Sequence, residues 1–262
     1  MASEADLVFD SLHAGYDQLA PLVRSLTPEQ LTTPITPGEW TVHQMLGHIG
    51  SGAVITEATL EASIAGQPSP GLEANKAIWA VWDAKDPQAA ADDSLAANEH
   101  LLARYDSLDD ATGESLRIDL GFLPAPLDVA GAASFRLNEF ALHSWDVRAF
   151  LDSSATIEAS AVPLIAGVEA VMLGWICKPE RLGRPATVRV ELTDLDQSFV
   201  LVLAESASIR QGHEETDAVL RLPAEAWVRL TTGRLAPAST PDSVEVSGSV
   251  TLDELRAIFP GF

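Results

Sequence analysis

The first 150 residues of the chain repeat apolar side chains at the 3.6-residue period of amphipathic helices. The spacing is clearest in residues 42–64, where the apolar stripe consists of Val42, Leu46, Ile49, Ala53 and Leu60. Thr41 can cap this helix, and Gly66 and Pro68 follow its end. The same period predicts three more helices, over residues 5–25, 87–108 and 128–150. Four helices of this length, joined by loops, predict an antiparallel four-helix bundle.

The pattern changes after a turn-rich break at residues 152–154. A further apolar helix is predicted over residues 157–177. Apolar and polar residues then alternate, as in strands, over residues 187–192, 198–203, 217–222 and 244–246. Short helices are predicted from Pro223 to Gly233 and from Thr251, where Thr251 and Glu254 have capping-box spacing. We therefore predict an α+β fold, with a four-helix bundle over residues 1–155 and a connecting helix with a small α+β domain over residues 156–262.

Composition narrows the classes of protein and partner. The chain has 262 residues, of which 47% are hydrophobic, and a net charge of -22. Such a charge disfavours nucleic acid and anionic lipid as partners. The absence of any apolar run near 18 residues argues against a membrane span, and the acidic N-terminus does not resemble a signal peptide. The single cysteine, Cys177, excludes an internal disulfide. We expect a cytoplasmic protein, either a monomer or a weak homodimer.

A line of ionisable residues runs along the helix predicted over residues 128–150. Arg136, Glu139, His143 and Asp146 fall within about 80° of one another on the helix surface. Apolar residues flank this line on both sides, namely Val129, Phe140 and Val147 on one and Phe135, Leu142 and Trp145 on the other. A line bounded in this way is expected to face the interior or a cavity, where charged groups must be paired or bound to metal.

Spacing alone allows two interpretations of this line. One is an internal salt-bridge ladder of the four residues, and the other is a metal site in which Glu139 and His143, four residues apart, are ligands of one ion. A third ligand on another helix would favour the metal site.

Among the histidines on the earlier helices, His48 is the best candidate for a third ligand. It lies at the edge of its helix's apolar stripe, and its neighbours Gly47, Ser51 and Gly52 are small. His13 and His100 are weaker candidates, and His43 is expected to be exposed in a first turn. Two imidazoles and one carboxylate leave open positions on Zn²⁺ or a similar ion, as in a catalytic site. Asp146, one turn beyond His143, could orient that ligand. The HExxH pattern of zinc peptidases is absent.

These residues resemble a known family. Trp40 at the start of a helix, with His48 eight residues later, is similar to the DinB-like metal-binding bundle. The spacing of Arg136, Glu139, His143 and Asp146 resembles the motif of mycothiol-dependent maleylpyruvate isomerases. The C-terminal segments 218–223, 232–234 and 244–250 resemble that family's small domain, which is itself similar to sterol carrier domains.

The resemblance implies a site and two cofactors. His48, Glu139 and His143 would bind zinc or another divalent metal, and the thiol mycothiol would reach that metal. Arg136 and Asp146 are the candidate catalytic residues. Arg234 is the candidate for binding the thiol or the substrate, with a surface arginine at a helix end as the alternative interpretation. The sequence departs from the family at Gly248-Ser249, where an aspartate often follows the glycine.

Three functions follow as alternatives. In the isomerase, a thiolate adds to the cis double bond of maleylpyruvate, the new single bond rotates, and loss of the thiol gives the trans product. In a mycothiol S-transferase, the same thiolate attacks an electrophile and stays attached. The third is a non-catalytic protein that binds a small ligand and no metal. Cys177 lies far from the motif in sequence and is interpreted as structural, so the thiol must come from outside the chain.

Overall fold

The fold was described from a computed structural model, which covers residues 3–35, 40–212 and 214–261. Contacts between residues divide the chain into two compact units, of which the first ends at Ala161 and the second begins at Val162. The first unit is helical, and the second combines a mixed sheet with helices. The predicted α+β class is therefore confirmed. The predicted domain boundary between residues 155 and 156 stays a prediction.

The helices of the first unit are α1 (Glu4–Ser25), α2 (Pro28–Leu31), α3 (Val42–Ile64), α4 (Gly71–Asp83), α5 (Pro87–Asp106), α6 (Asp110–Ser115) and α7 (Val129–Leu151). A further helix, α8 (Ala161–Ile176), begins where the two units meet in sequence. The four long helices α1, α3, α5 and α7 correspond to the four predicted from periodicity. Each of their ends lies within two residues of the prediction.

Local hydrogen bonds explain where these helices begin. The side chains of Ser3, Asp86 and Asp128 accept hydrogen bonds from backbone N–H groups three residues later. At α3 the side chain of Gln44 accepts from the backbone N–H of Thr41, the residue before the helix. Each bond satisfies an N–H group that a helix terminus would leave without an intrahelical partner.

Close packing of three helices depends on a glycine in α3. Helix α3 packs against α4, α5 and α7, and α1 packs against α5 and α7. A Cβ at Gly50 would lie 2.3 Å from the ring of Trp82 on α4 and 2.9 Å from the Cα of Ser94 on α5. Helix α4 was not predicted, because several of its apolar residues, Leu72, Trp79 and Val81, stay exposed and form no regular core stripe.

The second unit contains a five-stranded mixed sheet. Its strands are β1 (Ala186–Leu192), β2 (Gln197–Leu203), β3 (Ala207–Arg210), β4 (Ala218–Leu222) and β5 (Glu245–Gly248), and its helices α9 (Ala224–Thr231) and α10 (Leu252–Ile258) follow β4 and β5. The strand order is β3-β2-β1-β4-β5, in which β1 and β4 are parallel and the other pairs antiparallel. Alternate residues of β1 are buried, as its sequence predicts. The short edge strand β3 was not predicted, since it has only four residues.

Aromatic contacts join the sheet to the helices of this unit. The ring of Trp227 on α9 lies edge to face against Phe199 and Phe259, at centroid distances of 5.3 and 6.1 Å. The predicted capping box at the start of α10 is confirmed, because Thr251 and Glu254 exchange backbone-to-side-chain hydrogen bonds of 2.8 and 3.2 Å. Among the described residues, no helix has the length and apolar character needed to cross a membrane.

The packing at Gly50 predicts a difference between two glycines of the same helix. Gly50→Ala should lower the free energy of unfolding by about 1–3 kcal/mol through overpacking, in spite of a gain of up to about 1 kcal/mol in helix propensity. At Gly47 an added Cβ meets no neighbouring atom within 4 Å, so Gly47→Ala should be neutral or stabilising. Urea unfolding measures both variants. Equal stability of the two would show that Gly50 does not govern this packing.

Candidate metal centre

Helices α3 and α7 bring His48, Glu139 and His143 together. The Oε2 atom of Glu139 lies 3.3 Å from Nε2 of His48 and 3.5 Å from Nε2 of His143. The two imidazole rings are 4.6 Å apart and nearly perpendicular. One possible ligand atom from each residue lies within 4.8 Å of those of the other two. The structure thus places side by side the three residues that the sequence proposed as ligands.

The cluster is open on one side and buried on the other. The side chain of His143 is 7% exposed, whereas those of His48 and Glu139 are 30% and 38% exposed. Burial alone would raise the pKa of Glu139, but hydrogen bonds from His143 and His48 and their nearby charges outweigh it. The pKa therefore lies well below its usual range, and the carboxylate remains ionised at neutral pH.

Asp146 fixes the orientation of His143. Its carboxylate is fully buried, and Oδ2 lies 3.0 Å from Nδ1 of His143. Because this contact holds a proton on Nδ1, Nε2 is the nitrogen through which His143 would bind a metal, in place of its contact with Glu139. The pair corresponds to the carboxylate–histidine arrangement found behind metal ligands in many proteins.

Arg136 bridges helices instead of continuing a ladder of charges toward Glu139. It is 5% exposed, and its Nη2 donates to the carbonyl oxygen of Ile49 on α3 at 2.8 Å and to Oδ1 of Asn98 on α5 at 2.7 Å. Burial lowers the pKa of Arg136 to about 10, so the guanidinium is still charged at neutral pH. The polar line of α7 therefore separates into two parts, a cluster at Glu139, His143 and Asp146 and a bridge at Arg136.

Aromatic side chains lie near the cluster. The ring of Trp40 lies 5.2 Å from that of His48 and is 43% exposed. Phe122 packs edge to face on Phe135, one helical turn before Glu139, and is 54% exposed. The ring of Trp40 therefore gives the cluster a partly apolar border on the side of His48.

The other histidines named in the sequence analysis have partners elsewhere. His13 lies 3.0 Å from Asp106, and His100 lies 2.9 Å from Glu57. His43, which was expected to be exposed, is half-buried, because its Nδ1 lies 3.0 Å from the carbonyl oxygen of Leu31.

Arg234 and Ser249 belong to the second unit. Arg234 is 3% exposed, so the interpretation of it as a surface arginine is wrong, and its Nη1 donates to the carbonyl oxygen of Thr232. Its role toward thiol or substrate stays a prediction. Ser249, where the family often has an aspartate, donates its backbone N–H to the carbonyl oxygen of Asp217 at 2.8 Å.

Sequence reasoning missed Asn98, whose Oδ1 accepts a hydrogen bond from the guanidinium of Arg136. It identified Gly52 as a small neighbour of His48, but not as the residue that leaves space for the guanidinium of Arg136. The sequence does contain a signal for Asn98, which is the polar residue in a buried helical stripe with Leu95, Leu102 and Tyr105. The contact between Gly52 and Arg136 depends on which helices meet, which periodicity does not specify.

The donor set suits a divalent metal. Two imidazole nitrogens and a carboxylate oxygen are the ligands of many catalytic zinc sites, which keep a further position open. The two carboxylate–imidazole distances, 3.3 and 3.5 Å, are close to the edge of about 3.3 Å between ligands in a tetrahedron around zinc. A carboxylate that is already ionised and a buried acceptor behind His143 both support this fit.

Comparisons with known proteins agree with this architecture. Residues 12–148 match the family model of the mycothiol maleylpyruvate isomerase N-terminal domain, and residues 180–252 match that of the SCP-2 sterol transfer family. A crystal structure of the mycothiol-dependent maleylpyruvate isomerase matches 96% of this chain and 98% of its own, with 14% identity and a TM-score of 0.67. A histidine-to-alanine mutant of that isomerase matches with the same coverage and identity and a TM-score of 0.68. No curated protein matches the chain significantly.

The structural likeness at 14% identity establishes the fold alone. The family model carries more weight, because it covers more than half of the chain and contains the helices that hold the candidate metal ligands. The chain therefore belongs to the mycothiol maleylpyruvate isomerase family.

Proposed function

We propose that this protein is an enzyme of the maleylpyruvate isomerase type that depends on a divalent metal, preferably zinc, and on mycothiol. The observation that carries the proposal is the cluster of His48, Glu139 and His143, whose ligand atoms lie within 4.8 Å of one another. Membership of the family supports mycothiol as the thiol. The substrate would be a small electrophilic molecule.

Each residue of the cluster has a distinct task in this proposal. His48, Glu139 and His143 would hold the ion, and Asp146 would keep the Nδ1 proton of His143 in place. When bound, the ion would stabilise the thiolate form of mycothiol at neutral pH, which supplies a nucleophile for reversible addition to an activated double bond. Glu139 would contribute one negative charge, and the positive charge that remains on the ion and its ligands would still favour a bound thiolate.

The surroundings of the cluster would control access. Trp40, in contact with His48, would exclude water from one side of the site. His48 and Glu139 are the more exposed ligands, so the substrate would enter on their side. Arg136 is too buried to reach a substrate.

A mycothiol S-transferase is the second candidate, and one observation favours it. Trp40, whose ring contacts that of His48, presents exposed aromatic surface beside the cluster, which suits an apolar electrophile better than the dianion maleylpyruvate. The net charge of -22 also opposes a dianionic substrate at long range. Both candidates use the same metal-binding residues.

The first prediction of the proposed function concerns metal content. His143→Ala should reduce bound zinc from about one equivalent to less than about a tenth, since it removes the most buried ligand. The circular dichroism spectrum should remain helical, because the substitution leaves the apolar core residues of the bundle unchanged. His100→Ala is the matched control, since His100 is paired with Glu57 on the surface, and it should keep its metal. Stoichiometric metal in His143→Ala would contradict the site, and a wild-type chain without metal would favour a non-catalytic binding protein.

The second prediction concerns the reaction. Zinc-loaded protein with mycothiol should isomerise maleylpyruvate or conjugate a neutral aromatic electrophile such as chlorodinitrobenzene, and each activity should need both metal and thiol. Trp40→Ala should raise the KM for the aromatic electrophile more than that for maleylpyruvate, because only the former gains from ring contact. Both activities can be followed by absorbance. No turnover with any low-molecular-weight thiol would refute both candidates.

The third prediction concerns the cysteine of the chain itself. Burial raises the pKa of Cys177 to about 12, and its side chain is almost fully buried. At pH 8 its labelling by a disulfide reagent should be about a thousandfold slower in the folded protein than in urea, because the thiolate is the reactive form. Cys177→Ser should leave turnover unchanged. Rapid labelling, or loss of activity in the variant, would point to Cys177 as an internal thiol.

A further inference from the structure

Arg136 connects the two helices that carry the candidate metal ligands. It lies on α7 one turn before Glu139, and the oxygen it contacts on α3 belongs to Ile49, the residue directly after His48. The hydrogen bond of 2.8 Å therefore ties the backbone beside one ligand to the helix that carries the other two. A shift of α3 along α7 would break this bond and would at the same time move His48 away from Glu139.

The guanidinium is also held from the side of α5. The same Nη2 donates to Oδ1 of Asn98, and Asn98 is fixed in turn because its Nδ2 donates to the carbonyl oxygen of Ser94 at 2.8 Å. The carbon of the guanidinium lies 5.6 Å from the ring centre of Phe140 on α7 itself. Contacts to three helices leave the guanidinium little freedom to move.

The sequence of α3 leaves space for this contact at one position. A Cβ at Gly52 would lie 2.6 Å from Nη1 of Arg136, closer than real side chains approach one another. Glycine at residue 52 therefore lets the guanidinium lie against α3. At Gly47, five residues earlier on the same helix and beside His48, an added Cβ would meet no neighbouring atom within 4 Å.

Burying a guanidinium is costly, and an apolar side chain of similar size would hold two helices together at lower cost. What the guanidinium adds is direction, because its Nη2 reaches both the carbonyl oxygen of Ile49 and Oδ1 of Asn98 in the observed register of the helices. The register matters most where His48 must meet Glu139 and His143.

We propose that Arg136 is a positioning residue, which sets the register of α3 against α7 and thereby the separation of His48 from the two ligands on α7. It acts through the backbone of Ile49 and touches neither metal nor substrate. Gly52 and Asn98 are part of the same arrangement. The inference rests on the proposed function, since it takes these three residues as metal ligands.

The test compares three variants of the full-length chain, Arg136→Lys, Gly52→Ala and Gly47→Ala. The Zn²⁺ dissociation constant is measured by competition with a chelating dye, and the ligand geometry is followed by the visible spectrum of the Co²⁺ form. The melting temperature of each metal-free variant is recorded separately. Gly52→Ala displaces the guanidinium without altering a ligand, and Gly47→Ala makes the same chemical change on the same helix without a clash.

We expect Arg136→Lys and Gly52→Ala to weaken Zn²⁺ binding about 10- to 100-fold, as losses of residues that orient metal ligands do. Their Co²⁺ spectra should change, whereas Gly47→Ala should match the wild type in both measurements. Unchanged affinity and spectra in Arg136→Lys and Gly52→Ala would overturn the inference, even if their melting temperatures fall, because Arg136 would then be only a structural link. If Arg136→Lys does not fold, Gly52→Ala decides.

The outcome also separates this inference from the proposed function. A wild-type chain that binds no Zn²⁺ refutes both. A wild-type chain that binds Zn²⁺ tightly, with variants that bind equally well, refutes only the role of Arg136.

Discussion

The carboxylate of Glu139 lies between two imidazoles, one from α3 and one from its own helix α7, and this contact requires the two helices to lie close together. His48 and His143 stand 3.3 and 3.5 Å from the same oxygen and keep the carboxylate ionised. His48 can do so only if α3 lies close against α7. Asp146, on the far side of His143, contacts the other nitrogen of that ring and holds it in place. The groups that compensate the carboxylate are also good metal ligands, so one cluster can serve both the folded chain and the proposed chemistry.

Much of the fold and of the candidate site could be predicted, because residue spacing along the chain indicates both. The 3.6-residue period located α3 and α7, and the apolar residues on both sides of Glu139 and His143 indicated that these polar groups face inward. His48 could be chosen among the histidines because its neighbours are small. In the second unit, alternation of apolar and polar residues located β1, β2 and β4, and alternate residues of β1 and β4 are buried.

What could not be predicted depends on how elements approach one another. Arg136 lies on the same helical face as Glu139, but its long side chain can turn along α7 or across to α3. Residue spacing does not distinguish these two directions, and in the structure the side chain reaches α3. The direction is decided by Gly52 and Asn98, which lie far apart in sequence. Helix α4 and strand β3 were missed because their residues are partly exposed or few, so that little periodic signal marks them.

The most direct test of the central claim is X-ray absorption at the zinc edge, on the zinc-loaded full-length protein with and without mycothiol. The account predicts two imidazole nitrogens and carboxylate oxygen at about 2.0–2.2 Å, and a new sulfur ligand at about 2.3 Å when the thiol is added. A shell of oxygens without imidazole scattering would contradict the site of His48, Glu139 and His143. An unchanged shell after the addition of mycothiol would contradict the proposed role of the metal in binding the thiol.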